Sequence, residues 1–411
     1  MRIFFSVGEP SGDMHGANLI RALASRHRDW QFVGYGGPKM ADAGCRLHAD
    51  LTQLAVMWIA QALLNLHKFL ALLFRANRYF REERPDLVVL IDYPGFNWWI
   101  ARRAKAHGIP VVYYGPPQLW AWAGWRVGKM RRYVDHVLCK LPFEEDWLRR
   151  RGCHATYVGH PYFDELLTQS IDHGFLQQLQ AEPGPLVTLL PGSRKQEVRS
   201  NLPTLVKAAQ RVQQEVPDVR FAFAAYKPSQ AETITKALAS SELKAQVYHG
   251  RTPELIRAAD CCLACSGSVS LELLFHTKPT AIVYQVSRLG YFLQSLVRTV
   301  RYITLVNLLT AEDPFGDRSA GIYDPSDPRD QHVLMPEYLT TQDKSAQLAE
   351  HVVDWLTDAP LRGELIEQLT ALKERVAKGG ASVRAADYIS SMLAAQPAEP
   401  GDLRQRGSDA A

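Results

Sequence analysis

Residues 2–23, "RIFFSVGEPSGDMHGANLIRAL", pass from a short apolar run at 3–7, through a loop carrying Gly8, Gly12 and Gly16, straight into a helical pattern. An apolar strand, a glycine-bearing turn and a helix in that order make the opening unit of a parallel α/β layer. The glycines recur every fourth residue. That spacing matches neither the G-x-G-x-x-G dinucleotide fingerprint nor a phosphate loop ending in Gly-Lys-Ser/Thr, which disfavours an NAD enzyme and a triphosphate-binding one. Glu9, Ser11 and Asp13 lie at the strand exit. Two acids and a hydroxyl suit the hydroxyls of a sugar better than a phosphate.

The alternation continues along the chain. Strands are predicted at 31–35, 87–91, 111–114, 136–141 and 156–158, with helices at 17–25, 98–107 and 143–151. A polar stretch, 168–184, runs into Pro-Gly-Pro, and the pattern restarts with strands at 186–190, 219–225, 245–249, 261–265 and 280–284. A chain of 411 residues exceeds what one core ordinarily supports. The expectation is an α/β protein of two Rossmann-like, doubly wound domains, 1–167 and 185–342, facing across a cleft. Helices at 343–395 would pack back across them, and 396–411 would form a disordered tail. Ligands in such sheets sit beyond the carboxyl ends of the strands, so chemistry belongs in the loops that follow them.

The totals narrow the function. Apolar residues make up 46% of the chain and charged ones 22%, and a net charge of +4 without a basic block argues against nucleic acid. Sixteen Tyr, nine Trp and the mild basic excess are compatible with an anionic ligand or a membrane surface. The six cysteines show no framework spacing, and "CCLAC" at 261–265 lacks the second ligand pair of a zinc site, so they read as reduced and buried. Only five apolar residues precede Gly8 and an acid follows it, unlike a secretory signal. A cytoplasmic location is expected.

Two stretches are greasy enough to meet a bilayer. Residues 54–74 are long and apolar but carry Gln61, Asn65 and Lys68 as one stripe, which favours an interface or the core over a span. In 288–302, "RLGYFLQSLVRTVRY", Leu289, Leu293, Leu296 and Val300 share one helical face, and Gln294, Arg298 and Arg301 another, suited to anionic head groups.

Four loops could carry chemistry. In 189–203, "LLPGSRKQEVRSNLP", Gly192 permits close backbone approach, Ser193 can cap, the helix start favours a phosphate and Arg194 adds a charge-assisted fork; an ordinary capped helix is the alternative. In 265–279, "CSGSVSLELLFHTKP", Ser266, Gly267 and Ser268 supply amides and Glu272 could accept from ribose hydroxyls. In "IDYPGFN", Asp92 is either a general base or the cap of the next helix. "YGPPQLWAW", with Gln118 and Trp120, and "GHP", with His160, add aromatic planes and either a second acid-base group or a structural hinge.

Several segments resemble one known family. "GEPSGDMHGANLIRAL", "GGPKMADAG", "LAVM", "IDYPGFN", "PQLWAW", "VDHVLCKLPFE", "VGHP", "LLPGSRKQEV" and "SGSVSLELL" occur in the order found in the lipid-A-disaccharide synthases. The resemblance implies a GT-B fold and an inverting, metal-independent glycosyltransferase without cofactors. Such enzymes join UDP-diacylglucosamine to diacylglucosamine 1-phosphate, releasing UDP, at the inner face of the cytoplasmic membrane. By motif, Asp92 would activate the acceptor hydroxyl, with Glu9, Ser11 and Asp13 beside the reacting sugars. Gly192, Ser193, Arg194, Glu197, Ser266, Gly267, Ser268 and Glu272 would hold UDP. His160, Asn307, Gln118 and Trp120 would face the cleft or the acceptor. A homodimer is compatible with this picture. The chain departs from the pattern at Gly95, Trp58 and Gln61, where the family has an acid, a glycine and a glutamate, and in a longer acidic segment around 311–332.

Overall fold

The computed structural model describes residues 1–55, 66–315 and 322–395. Trp58, Gln61 and the span 396–411 lie outside the described residues, as do 316–321 within the acidic segment.

Two parallel sheets organise the chain. The first holds β1 (Arg2–Val7), β2 (Gln31–Gly36), β3 (Arg46–Asp50), β4 (Leu87–Ile91), β5 (Val111–Tyr114), β6 (His136–Cys139) and β7 (Ala155–Tyr157), in the order β3-β2-β1-β4-β5-β6-β7. The second holds β8 (Leu186–Leu190), β9 (Arg220–Ala225), β10 (Ala245–His249), β11 (Cys261–Cys265), β12 (Thr280–Gln285) and β13 (Glu337–Thr340), in the order β10-β9-β8-β11-β12-β13. Central strands such as LVVLI of β4 and CCLAC of β11 are buried along their whole length, because helices cover both faces. All six cysteines are free and buried.

This topology decides where a ligand can sit. The winding reverses between β1 and β4 in the first sheet and between β8 and β11 in the second. Val7 pairs with Ile91, so the loops carrying Glu9 and Asp92 leave the sheet side by side. Leu190 pairs with Ala264, which does the same for the Gly192 and Ser266 loops. A reversal point opens a crevice at the strand ends, and each sheet has one.

The chain ends on the half where it began. Helix Ala381–Ala394 buries Ala385, Ala386, Ile389 and Leu393 in one cluster with Ile3, Phe5, Leu19 and Leu23 of the first sheet's opening unit. Asp164 fixes the start of that helix by accepting from the amides of Gly380, Ala381 and Ser382.

Differences from the sequence-based expectations have local causes. Helices Pro10–Arg26 and Pro94–Ala106 begin several residues before the predicted 17 and 98, because proline occupies their first turn, where its missing N–H costs nothing. β3 and β13 escape a reading by apolar runs. Both are edge strands, and RLHAD and EYLT carry ionisable residues. The helix expected over 288–302 stops at Val297.

Candidate active site

Asp92 sits in a backbone conformation that side chains rarely adopt. Its φ is 46° and that of Tyr93 is 42°, two successive left-handed non-glycine residues. Such strain persists only where the surroundings over-determine it. Buried Asn97 supplies the determination: its Nδ2 donates to the carbonyls of Ser6, Ile91 and Asp92, while its Oδ1 accepts from Ser6 Oγ. Tyr113 donates its hydroxyl to the Asp92 carbonyl as well. The carboxylate therefore projects from a held turn, and helix Pro94–Ala106 starts without a side-chain cap, so Asp92 is not its cap.

The glycines of the opening motif serve this turn and its packing. A Cβ on Gly8 would fall 2.4 Å from the ring of Tyr93, and one on Gly12 2.9 Å from Val7. They allow close approach of packed elements rather than cradling a phosphate.

Lys140, from the end of β6, places Nζ 3.2 Å from Asp92 Oδ1 with both side chains mostly buried. Burial alone would lower the lysine's pKa; the carboxylates of Asp92 and Glu144 outweigh it and hold Lys140 above its ordinary range. Glu144 is fully buried and accepts from Trp120 Nε1 and from the amides of Lys140 and Leu141. Glu9 reaches cleft water, yet partial desolvation raises its carboxyl above the usual value, Asp92 adds to this, and Lys140 and Arg194 oppose it. His160 accepts at Nδ1 from the Tyr162 amide, and burial, with Lys140 and His15 nearby, pushes its pKa well down, so it is neutral near pH 7.

These groups line a hollow of about 700 Å³, whose opposite wall comes from the second sheet through Gly267, Ser268, Gln294, Arg298 and Tyr302. A second hollow, about 530 Å³, is lined by Gly192, Ser193, Arg194, Glu197, Ser266 and Glu272. The two share Tyr162, Gly267 and Ser268, so they adjoin at that wall. Volumes of this size fit a small-molecule ligand each.

Comparison with known proteins agrees with this architecture. The profile of the lipid-A-disaccharide synthetase family matches residues 3–354. The chain belongs to that family. A lipid-A-disaccharide synthase of Myxococcus xanthus is 34% identical over 394 residues, covering 95% of this chain and 97% of the relative. Among solved structures, a UDP-GlcNAc 2-epimerase from Neisseria meningitidis bound to UDP-GlcNAc superposes with a TM-score of 0.59 at 10% identity, covering 96% of this chain and 99% of that one. The calicheamicin glycosyltransferase CalG4 superposes with 0.57 at 16% identity, covering 96% and 98%. Those likenesses establish the two-domain GT-B fold, and family membership makes the chain a glycosyltransferase acting on a UDP-sugar donor and a sugar acceptor.

Several residues singled out in the sequence take other places in this synthase-family chain. Asp13 lies outside both hollows: its buried carboxylate accepts from the amides of Gly37, Lys39 and Met40 and so starts helix Pro38–Asp42. Asn307 does not face the cleft. It is fully buried and bonds Met335 and Glu337, tying helix Leu305–Thr310 to β13. Glu197 fills its own loop, accepting from the amides of Ser193 and Arg194 and from Arg194 Nη1. Glu272 accepts from Tyr162 and Gln169, a bridge between the halves at the cleft. Arg301 is held by Asp327 and Asp330, and Val300 is buried, so neither belongs to the exposed helix face expected for them. Trp120 and Gln118 do line the first hollow, Trp120 as a buried wall residue against Phe143 and Phe315.

Lys140, Glu144, His15, Glu165 and Tyr162 were not singled out from sequence, though each stands at the cleft or braces it. Lys140 and Glu144 lie inside the family-like segment "VDHVLCKLPFE". That was the available signal.

Proposed function

We infer that this chain transfers diacylglucosamine from UDP-diacylglucosamine to diacylglucosamine 1-phosphate, releasing UDP and forming the disaccharide of lipid A. The adjoining hollows carry the reading: one holds a fixed carboxylate at one sheet's reversal point, the other the amides and guanidinium at the second sheet's. Residues 1–167 would bind the acceptor and 185–342 the donor, with 343–395 bracing the first half. Asp92 takes the proton from the acceptor's primary hydroxyl as that oxygen attacks the donor's anomeric carbon, and UDP departs from the opposite face. Lys140, 3.2 Å from Asp92 Oδ1, keeps the carboxylate aimed. The turn at Ser266–Ser268 and Arg194 balance charge growing on the diphosphate, the work a divalent metal does in other sugar transferases. Glu9 and Ser11 contact the sugars, with Gln118, Trp120 and His160 forming the acceptor wall. Incubation of the purified protein with the two lipid sugars should yield, in equal amounts, UDP and a larger lipid whose mass is that of the two substrates together less UDP. UDP without the larger lipid, or an epimerised donor, would defeat the reading.

Substrates with acyl chains reside in a bilayer, and a docking face is available. Helix Arg288–Val297 exposes Leu289, Phe292, Leu293 and Leu296 at helical spacing, and helix Leu66–Glu82 exposes Leu66, Leu70 and Phe74. Among the described residues no helix is long and apolar enough to cross a membrane. The reading is peripheral attachment at the inner face of the cytoplasmic membrane. Leu293→Glu with Leu296→Glu should remove most of the protein from floated anionic vesicles while leaving turnover on detergent-dispersed substrates within about threefold. A halved molecular mass in the double variant, with flotation intact, would instead assign this face to a homodimer.

A further inference from the structure

Arg298 is out of place for a surface cation. Its spacing in the sequence puts it on the polar face of a helix, but that helix ends at Val297 and Arg298 turns into the extended backbone that follows. Thr299 then donates its amide to the Ala121 carbonyl at 2.8 Å and its hydroxyl to the Trp120 carbonyl. This stitch between the two halves fixes the segment against the wall of the first hollow, which Arg298 lines together with Gln294, Trp122 and Tyr302.

The guanidinium is unmatched there. Its Nη1 is buried without a hydrogen-bond partner among the described residues. Lys140, the lysine lining this hollow, has its partner in Asp92. Glu337, the carboxylate whose charge reaches Arg298, is committed elsewhere, to the amides of Ile303 and Thr304 and to Asn307. A buried donor on a permanent cation costs free energy until an anion meets it. The ligand it lacks is negatively charged, while the wall opposite offers the carboxylates of Glu9 and Asp92 for hydroxyls to meet, its lysine, Lys140, being taken up by Asp92.

We propose that Arg298 binds the anomeric phosphate of the acceptor sugar, so that the acceptor lies across the hollow with its primary hydroxyl at Asp92 and its phosphate at the guanidinium. The assignment rests on the acceptor reading above and adds a basis for choosing phosphorylated acceptors. It predicts selectivity rather than rate. A carboxylate at one end and a guanidinium at the other would also fix which way round the sugar enters.

The test compares diacylglucosamine 1-phosphate with diacylglucosamine lacking the phosphate, in detergent micelles, for the full-length wild type, Arg298→Ala and Arg298→Lys. The expected result for Arg298→Ala is a loss of about 10- to 100-fold in kcat/KM on the phosphorylated acceptor, carried by KM, with the phosphate-free acceptor unchanged. Arg298→Lys should recover part of the preference, which guards against a folding artefact. UDP inhibition should be unaltered. Equal losses on both acceptors, or weaker UDP inhibition, would overturn the proposal, the latter by assigning Arg298 to the donor diphosphate. Retained acceptor preference with lost flotation on anionic vesicles would overturn it in favour of a bilayer phosphate. No disaccharide from the wild type with either acceptor would overturn the acceptor reading itself, and this proposal with it.

Discussion

Asp92→Asn should lower turnover by about a thousandfold while leaving UDP affinity within about twofold, because a positioned general base contributes roughly 10²- to 10⁴-fold. The separation of the two effects follows from the geometry. Asp92 lines the first hollow and not the second, where Gly192, Arg194 and Ser266 lie. The asparagine retains the size of the side chain, and the strained turn is held by main-chain bonds to the Asp92 carbonyl from Asn97 and Tyr113, which the substitution does not touch. The fold should therefore survive, and a single-turnover assay with UDP titration reads the two quantities separately. Turnover within tenfold of the wild type would remove Asp92 from the role of base. Glu9, the neighbouring acid with a raised pKa, would then be the candidate.

The turn around Asp92 also shows how far sequence can be followed. β4 was legible to the residue, because a strand buried on both faces must be apolar throughout and proline and glycine mark its end. The position of Asp92 at a strand exit was equally legible. Its partner was not: Lys140 is 48 residues away, and only the adjacency of β4, β5 and β6 brings it to 3.2 Å. Long-range pairing leaves no local trace.

Asp13 and Asn307 fail in the opposite sense. Asp13 is assigned to the site by its strand-exit position as well as its motif and Asn307 by its motif alone, yet one starts a helix and the other ties a helix to an edge strand. A motif locates a residue along the chain, whereas the direction of its side chain depends on which buried amides need an acceptor nearby. The every-fourth glycines make the same point. Gly8 and Gly12 answer to the Tyr93 ring and to Val7, contacts formed by tertiary packing that the spacing alone does not name.

Gly192→Ala should weaken UDP binding by about tenfold or more and lower the thermal midpoint, although it adds a single methyl group. Gly192 has a φ of +132°, which L residues adopt only with strain of about 1–3 kcal/mol. Its Cβ would lie 2.6 Å from Glu197 Cβ and 3.0 Å from Glu197 Oε2, so the glutamate must move. That carboxylate is the internal anion of the loop, gathering the Ser193 and Arg194 amides and Arg194 Nη1 in the arrangement a phosphate would also use. Displacing it leaves three donors without an acceptor and the first turn of helix Lys195–Glu215 without its cap. Gly267→Ala supplies the contrast, since a Cβ there meets nothing within 4 Å and no positive φ is required. Its thermal midpoint should match the wild type, so any loss of UDP affinity in that variant reports ligand contact, whereas the Gly192 loss reports collapse of the loop that receives the diphosphate. Unchanged UDP affinity in Gly192→Ala, measured by calorimetry, would mean that the diphosphate does not rest on this loop, and that Glu197 rather than a nucleotide is what the loop is built to hold.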